Sequence, residues 1–200
     1  MLIRVLGRGP LGQSIVRLAE RAGHIVRWCD ETPEPPYNDE LIDLLILAGS
    51  RNGVEADLDN VSSESLQNLI VVDAITPTQN ELDGSSSETV ASIGAESLWI
   101  AAMLPGARIV RAFASVPVQA FTDLLNDTSA AASRLAVPLA SDDRDAKALV
   151  GAFMRQIGVE PFDLGPLASA EAIDPGGPLW GKALSPIEML EAVGLLAGDG

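Results

Sequence analysis

Leu2-Ile3-Arg4-Val5-Leu6-Gly7-Arg8-Gly9-Pro10-Leu11-Gly12 is the stretch whose reading decides the fold. Its first five residues form a short β-prone run, and the next six spell a complete G-x-G-x-x-G directly behind it. In such a turn the first glycine lets the chain leave the strand tightly, the second admits a pyrophosphate close to the backbone, and the third lets the following helix lie against the strand. Downstream, Ile15, Leu18, Ala19 and Ala22 share one helical face, Gly23 stops the helix, and Ile25-Val26-Arg27-Trp28-Cys29 reads as a second strand. Asp30 ends that strand eighteen residues past Gly12, near the roughly 20 expected of the carboxylate that holds an adenosine ribose. Gly7, Arg8, Gly9, Pro10, Leu11 and Gly12 would seat the phosphates at a helix N-terminus, where unpaired N–H groups and a partial positive charge favour anions. The bland alternative is a strand, turn and helix that bind nothing.

Two hundred residues with 47% hydrophobic content suffice for one α/β domain, expected over residues 1–200 with a small extension from about residue 174. Lys and Arg number 13 against 28 Asp and Glu, a formal charge of −15. Nucleic acid and anionic membranes would be repelled over most of such a surface. The one cysteine, Cys29, excludes an intramolecular disulfide and makes a cysteine metal site improbable; no metal is expected. With no basic-then-apolar leader and no apolar run of about 20 residues, neither a signal peptide nor a membrane span is expected, and the cytoplasm is the expected compartment.

Further along, Glu31-Thr32-Pro33-Glu34-Pro35-Pro36-Tyr37 rules out a regular helix or central strand. After one helical turn over Asn38 to Ile42 comes the strand Leu44 to Ala48, so the third strand of a doubly wound half is missing and the second should stand at the sheet edge. Gly49-Ser50-Arg51-Asn52-Gly53 reads as a loop leaving the carboxyl end of that strand, where open α/β sheets bind ligands. A polar helix containing Ser65-Leu66 precedes the strand Leu69 to Ala74, whose exit loop carries Thr76. A helix from Ser87 to about Met103, the strand Arg108 to Phe113, the turn Ala114-Ser115-Val116-Pro117 and a helix Val118 to Leu125 follow, then a polar connection from Asn126 to Ser133. Ala136 to Ala140 is a strand whose Pro138 suggests an edge position. A helix Ala146 to Ile157, a strand Glu160 to Leu164, a helix Ala168 to Ile173, a loop Asp174 to Lys182 and a helix Pro186 to Leu196 complete the chain.

The glycine loop, the strand Arg108 to Phe113 with Ala114-Ser115-Val116-Pro117, the segment Val137-Pro138-Leu139-Ala140-Ser141-Asp142-Asp143 and the segment Phe162-Asp163-Leu164-Gly165-Pro166-Leu167 stand in this order. Together they resemble the deazaflavin-dependent NADP oxidoreductases and their small dinucleotide-binding relatives. The resemblance implies a Rossmann-like, mainly parallel sheet with a small C-terminal helical extension, nicotinamide binding at the glycine loop, hydride transfer to a flavin or deazaflavin, and a homodimer. Three positions depart from the pattern. Ala114 stands where the family places a polar residue, Asp30-Glu31 replaces its basic NADP-reading loop, and Ala48-Gly49-Ser50-Arg51 replaces an A-V-P-like turn. Asp30 suits the ribose hydroxyls of NAD and repels the 2′-phosphate of NADP, whereas Arg8 or Arg27 could reach such a phosphate; the choice stays open.

Other residues carry two readings each. Arg51 could hold an anion at the cleft mouth or be a solvated loop arginine. Ser115 could meet the nicotinamide amide or cap the next helix, and Thr76 could touch cofactor or only shape its loop. His24, at the helix-to-strand turn away from the strand carboxyl ends, reads as a surface turn residue, and Trp28, Trp99 and Trp180 read as core or interface. No nucleophile elbow, paired carboxylates or metal-ligand cluster stands out, which suits chemistry carried by a cofactor. Two functions fit: an NAD(P)-dependent oxidoreductase with a flavin-like acceptor, and a non-catalytic dinucleotide-binding sensor or subunit.

Overall fold

The computed structural model describes residues 1–29, 42–58, 66–77, 96–126 and 135–198. Seven strands, β1 (Leu2–Leu6), β2 (Ile25–Trp28), β3 (Leu44–Leu47), β4 (Ile70–Asp73), β5 (Arg108–Ala112), β6 (Ala136–Ala140) and β7 (Glu160–Asp163), form one sheet in the order β2-β1-β3-β4-β5-β6-β7. All neighbours are parallel except β5 and β6, which are antiparallel. The fold is α/β and Rossmann-like. Among the described residues β2 stands at the sheet edge, and the residues in which a third strand was expected to be missing, 31–41, lie outside those described.

Alternation along the strands builds two cores. Ile3, Val5, Leu44, Ile46, Val72 and Val110 face helices α1 (Pro10–Arg21), α4 (Val118–Asn126) and α5 (Arg144–Gln156). Leu45, Leu47, Val71 and Ile109 face helices α2 (Arg51–Leu58) and α3 (Glu96–Met103) on the other side. The central strands are covered on both faces, which is why they read as unbroken apolar runs. Beyond β7, a 3₁₀ helix (Leu167–Ile173), the chain to Leu184 and helix α6 (Pro186–Gly198) form a third cluster around Ala170, Ile173, Leu179 and Met189.

Three expectations need correction. The stretch Gly49 to Gly53 is not all loop: α2 begins at Arg51, because the Ser50 hydroxyl accepts the Gly53 N–H at 3.3 Å and the Ser50 carbonyl accepts Val54 N–H at 3.0 Å. Helix 168–173 is a 3₁₀ helix from Leu167. Strand β6 is not at the edge but lies between β5 and β7, with all five residues buried. Ala136 N–H donates to Leu184 and the Leu139 carbonyl accepts from Leu164, so Pro138 turns its missing donor toward the β5 side. There the ladder with β5 covers only Leu139 and Ala140, and no bond is lost. The expected turn over Asn38 to Ile42 (except Ile42 itself), Ser65, the helix start at Ser87 and the connection 127–133 lie outside the described residues.

Asp143 joins helix α5 to the sheet. Its carboxylate accepts Arg108 Nε at 2.6 Å, Arg108 Nη2 at 2.8 Å and the Ala146 N–H at 2.8 Å, so one side chain caps the helix and grips β5. Arg108, first, and the helix N–H hold this carboxyl well below the usual range. A depressed folded-state pKa means that the contribution is complete above the unfolded value of about 3.9 and disappears as pH falls toward the folded value. Asp143→Ala should lower unfolding free energy by about 1–2 kcal/mol at neutral pH, combining a lost cap with a solvent-screened ion pair. Urea melts should show that difference shrinking below about pH 4.

Candidate dinucleotide cleft

The carboxyl ends of β1, β3 and β4 and the N-terminus of α1 surround a cleft of about 460 Å³. Gly7, Arg8, Gly9, Pro10, Leu11, Gly49, Ser50 and Thr76 line it, as do Ala48, Gly53, Val54, Pro77 and Val118. Gly53 belongs to the loop expected at this edge; Ala48, Val54, Pro77 and Val118 were not foreseen, although Pro77 follows Thr76 in the β4 exit loop. Gly12 lies one step inside the helix. Asp30 falls outside the described residues.

The glycines divide by purpose. Gly7 has φ +100°, and a Cβ there would run into the backbone of Ala48 and Gly49. A Cβ on Gly12 would strike the Gly7 carbonyl. Both are required by the fold itself. At Gly9 a Cβ would meet nothing nearer than the Ala48 carbonyl at 3.7 Å, and its φ of −64° is open to any residue. The protein's own packing gives no reason for glycine there; a ligand approaching the backbone does. Gly9 is also the N-cap of α1 and supplies no side-chain cap, Pro10 follows without an N–H, and the first turn carries no acid. The N–H groups of Leu11 and Gly12 therefore stay available to an anion at this helix end. These residues fit a pyrophosphate.

Arg8 lies 4.7 Å over the Trp28 ring, which sets a cation at the β2 side of the cleft. Thr76 is held by its N–H bonding the Gly49 carbonyl at 3.3 Å. Other expected contacts are not brought to the lining. Arg51, carried on the first turn of α2, is buried with its guanidinium 4.1 Å over Trp99. Ala114 and Ser115 are buried beyond the β5 exit, where Phe113 takes φ +70°. The Ser115 carbonyl accepts the Gly181 N–H at 2.8 Å from the C-terminal segment. His24 stands at the helix-to-strand turn, its ring tilted against Phe153 with centroids 5.4 Å apart; burial, then the nearby N-terminal ammonium, lowers its pKa. No group of three or more metal-ligating side chains is found among the described residues. Nor is any described helix long and apolar enough to cross a membrane.

Sequence reasoning missed one cluster beside the cleft. Asp73 and Arg111 are register partners on β4 and β5, both fully buried, with Arg111 Nη1 3.0 Å from Asp73 Oδ1. Arg111 also reaches Asp174, Nη2 to Oδ1 at 2.9 Å, and donates to the Ile75 carbonyl at 3.0 Å. Opposite charges ending two adjacent apolar strands were the available signal.

No family model and no curated protein sequence matches the chain. Among solved structures, hypothetical protein SMa0349 from Sinorhizobium meliloti is 20% identical with a TM-score of 0.66, over 92% of this chain and 95% of that one. A proposed F420-dependent NADP-reductase from Arthrobacter sp. FB24 is 22% identical at TM-score 0.66, over 96% and 94%. These likenesses show the α/β, Rossmann-like fold. A Streptomyces aurantiacus imine reductase, 16% identical at TM-score 0.56, shares it as well, with 84% of this chain spanning 58% of that longer one.

The glycine contrast gives a direct test. Gly9→Val should cost only about 1 kcal/mol through the cap yet abolish dinucleotide binding by calorimetry. Gly12→Ala should cost about 3 kcal/mol in denaturant melts because backbone must move. A folded Gly9 variant with unchanged affinity would place the dinucleotide elsewhere.

Proposed function

We propose that the chain is an NAD(P)-dependent oxidoreductase that moves a hydride between nicotinamide and a flavin- or deazaflavin-like ring. The observation that carries this reading is the open backbone at Gly9 facing the uncapped start of α1. Gly7 and Gly12 shape the turn, Gly9 and the following N–H groups hold the pyrophosphate, and Arg8 flanks the adenosine side. The nicotinamide supplies the redox chemistry when bound. Among the described lining residues Arg8 is the only ionisable side chain, so that part of the lining offers no carboxylate or imidazole to move a proton. That suits a planar acceptor protonated by water better than an alcohol or ketone pair, which needs a general acid. Mixing the protein with NADH, NADPH and a panel of flavins while following absorbance of the reduced nicotinamide tests the reading; turnover with one acceptor is expected.

A second reading, a non-catalytic dinucleotide sensor or subunit, draws on the β5 exit. Ala114 has no polar group to offer a nicotinamide, and both Ala114 and Ser115 are buried and absent from the described cleft lining. Tight binding with no turnover on any acceptor would favour it.

For cofactor choice, Asp30 and Glu31 set two carboxylates after β2. Two unit charges ~5 Å apart at an effective dielectric of ~20 repel by about 3 kcal/mol before screening, and hydration at an edge strand reduces that. Wild type should bind NADH modestly better than NADPH, and Asp30→Ser with Glu31→Arg should reverse the order in calorimetry at low and moderate salt. A wild-type preference for NADPH would instead assign the 2′-phosphate to Arg8 or Arg27.

A homodimer is proposed through α6, where Ile187 and Leu190 are 70% and 62% exposed one turn apart. Deleting residues from Asp174 onward is a poor test, since Asp174, Leu179 and Met189 are buried in the protein's own interior. Ile187→Glu with Leu190→Glu leaves that interior intact and should give a monomer by light scattering, whereas an unchanged dimer would move the interface elsewhere.

A further inference from the structure

The buried ion cluster ties three segments to one guanidinium. Asp73 closes β4, Arg111 lies next to it on β5, and Asp174 belongs to the C-terminal segment behind the 3₁₀ helix. Arg111 Nη1 bonds the Ile75 carbonyl at 3.0 Å, and Asp73 Oδ1 accepts the Ile75 N–H at 3.1 Å. Both backbone polar groups of Ile75 are thus held, and the next two residues, Thr76 and Pro77, line the cleft. From the C-terminal segment Asp174 meets the guanidinium, accepting Nε at Oδ1 at 3.0 Å. That segment is itself fixed: Gly177 N–H bonds Asp174, Leu179 N–H bonds Ala172, and Gly181 N–H bonds Ser115 in the β5 exit turn. A Cβ on Gly177 would run into the carbonyls of Glu171 and Ala172, so the segment lies as close as glycine permits.

A buried guanidinium keeps its place only while its charge is met. If the C-terminal segment leaves, Arg111 loses the Asp174 carboxylate, and the changed charge around this buried guanidinium alters its hold on Ile75. We propose that Arg111 is a positioning residue for the cleft, and that Asp174 couples docking of the C-terminal segment to the placement of Thr76 and so to dinucleotide affinity. The part concerning affinity rests on the reading of the cleft as a dinucleotide site. Linkage requires the converse: a dinucleotide that favours the docked arrangement must protect the segment in return.

The test uses the full chain. Asp174→Asn removes the charge and keeps the shape, Gly177→Ala displaces the segment and leaves the charges, and Met154→Ala opens a cavity in α5 as a control for lost stability. NADH and NADPH are titrated by calorimetry, and amide hydrogen exchange is followed at Thr76, Gly177, Leu179 and Gly181. The coupling predicts that dinucleotide slows exchange at Gly177, Leu179 and Gly181 in wild type. It also predicts that Asp174→Asn and Gly177→Ala each bind about tenfold more weakly with faster exchange at Thr76, and that Met154→Ala binds as wild type does. A purely structural role would leave the wild-type segment indifferent to dinucleotide. Binding without such protection, or folded Asp174→Asn and Gly177→Ala proteins with wild-type affinity, overturns the coupling. If wild type binds neither dinucleotide, the reading of the cleft fails on its own; Thr76 exchange in Asp174→Asn then decides the positioning role, faster exchange supporting it and unchanged exchange overturning it.

Discussion

At the top of the sheet two stretches of backbone touch with no side chain between them. Gly7, leaving β1, lies against Ala48 and Gly49, leaving β3, and the Gly7 carbonyl leaves no room for a Cβ on Gly12. This close approach sets where α1 begins and how near its N-terminus comes to the β3 exit. Everything at the ligand edge follows from it. With side chains at Gly7 or Gly12, α1 would move off the sheet, its apolar face of Leu11, Ile15, Leu18 and Ala19 would lose its contacts, and the cleft would lose its floor.

What was legible in the sequence was what local pattern dictates. The glycine spacing, the helical positions Ile15, Leu18 and Ala19 and the unbroken strand Leu44 to Leu47 each follow from periodicity or from a steric rule and are found in place, whereas Ala22, expected on the same face, is exposed at the helix C-cap. What was not legible depends on partners distant in sequence. Pro138 reads as an edge residue until one sees that β5 stops pairing before reaching it. Ser50 reads as a loop residue because a cap is recognised by its bond to Gly53, not by type alone. Arg51 reads as a cleft cation or a solvated loop arginine, yet the helix it opens carries it onto Trp99, a residue 48 positions away. Asp73, Arg111 and Asp174 are ordinary charged residues in one dimension and become a buried cluster only when parallel register sets β4 beside β5.

The same dependence on distant partners explains how an acidic chain uses its few cations. Thirteen Lys and Arg face 28 Asp and Glu, and several of the thirteen are committed to internal work. Arg111 holds Asp73 and Asp174 together, Arg108 fixes Asp143, Lys147 pairs with Asp163 at 2.8 Å, and Arg51 is folded over Trp99. Among the described residues Arg8 is the one basic side chain that lines the cleft. A polyanion would meet repulsion over the surface and little positive charge in the cleft, whereas a single pyrophosphate can be held by backbone N–H groups that need no net charge.

The helix N-termini make the same point from the side of stability. Helix α5 is capped by Asp143, α2 by the Ser50 hydroxyl, and α6 by Ser185, whose own N–H bonds Glu188 at 2.8 Å in a reciprocal arrangement. Helix α1, twelve residues long and central to the larger core, has no side-chain cap. A Ser, Asp or Asn at position 9 would be worth about 1 kcal/mol, and the 3.7 Å clearance at Gly9 shows that the fold would accept its Cβ. A side chain satisfying those N–H groups would, however, occupy the ground where an anion must sit. Stability alone would favour the cap; the glycine, and the open donors behind it, are what a ligand requires.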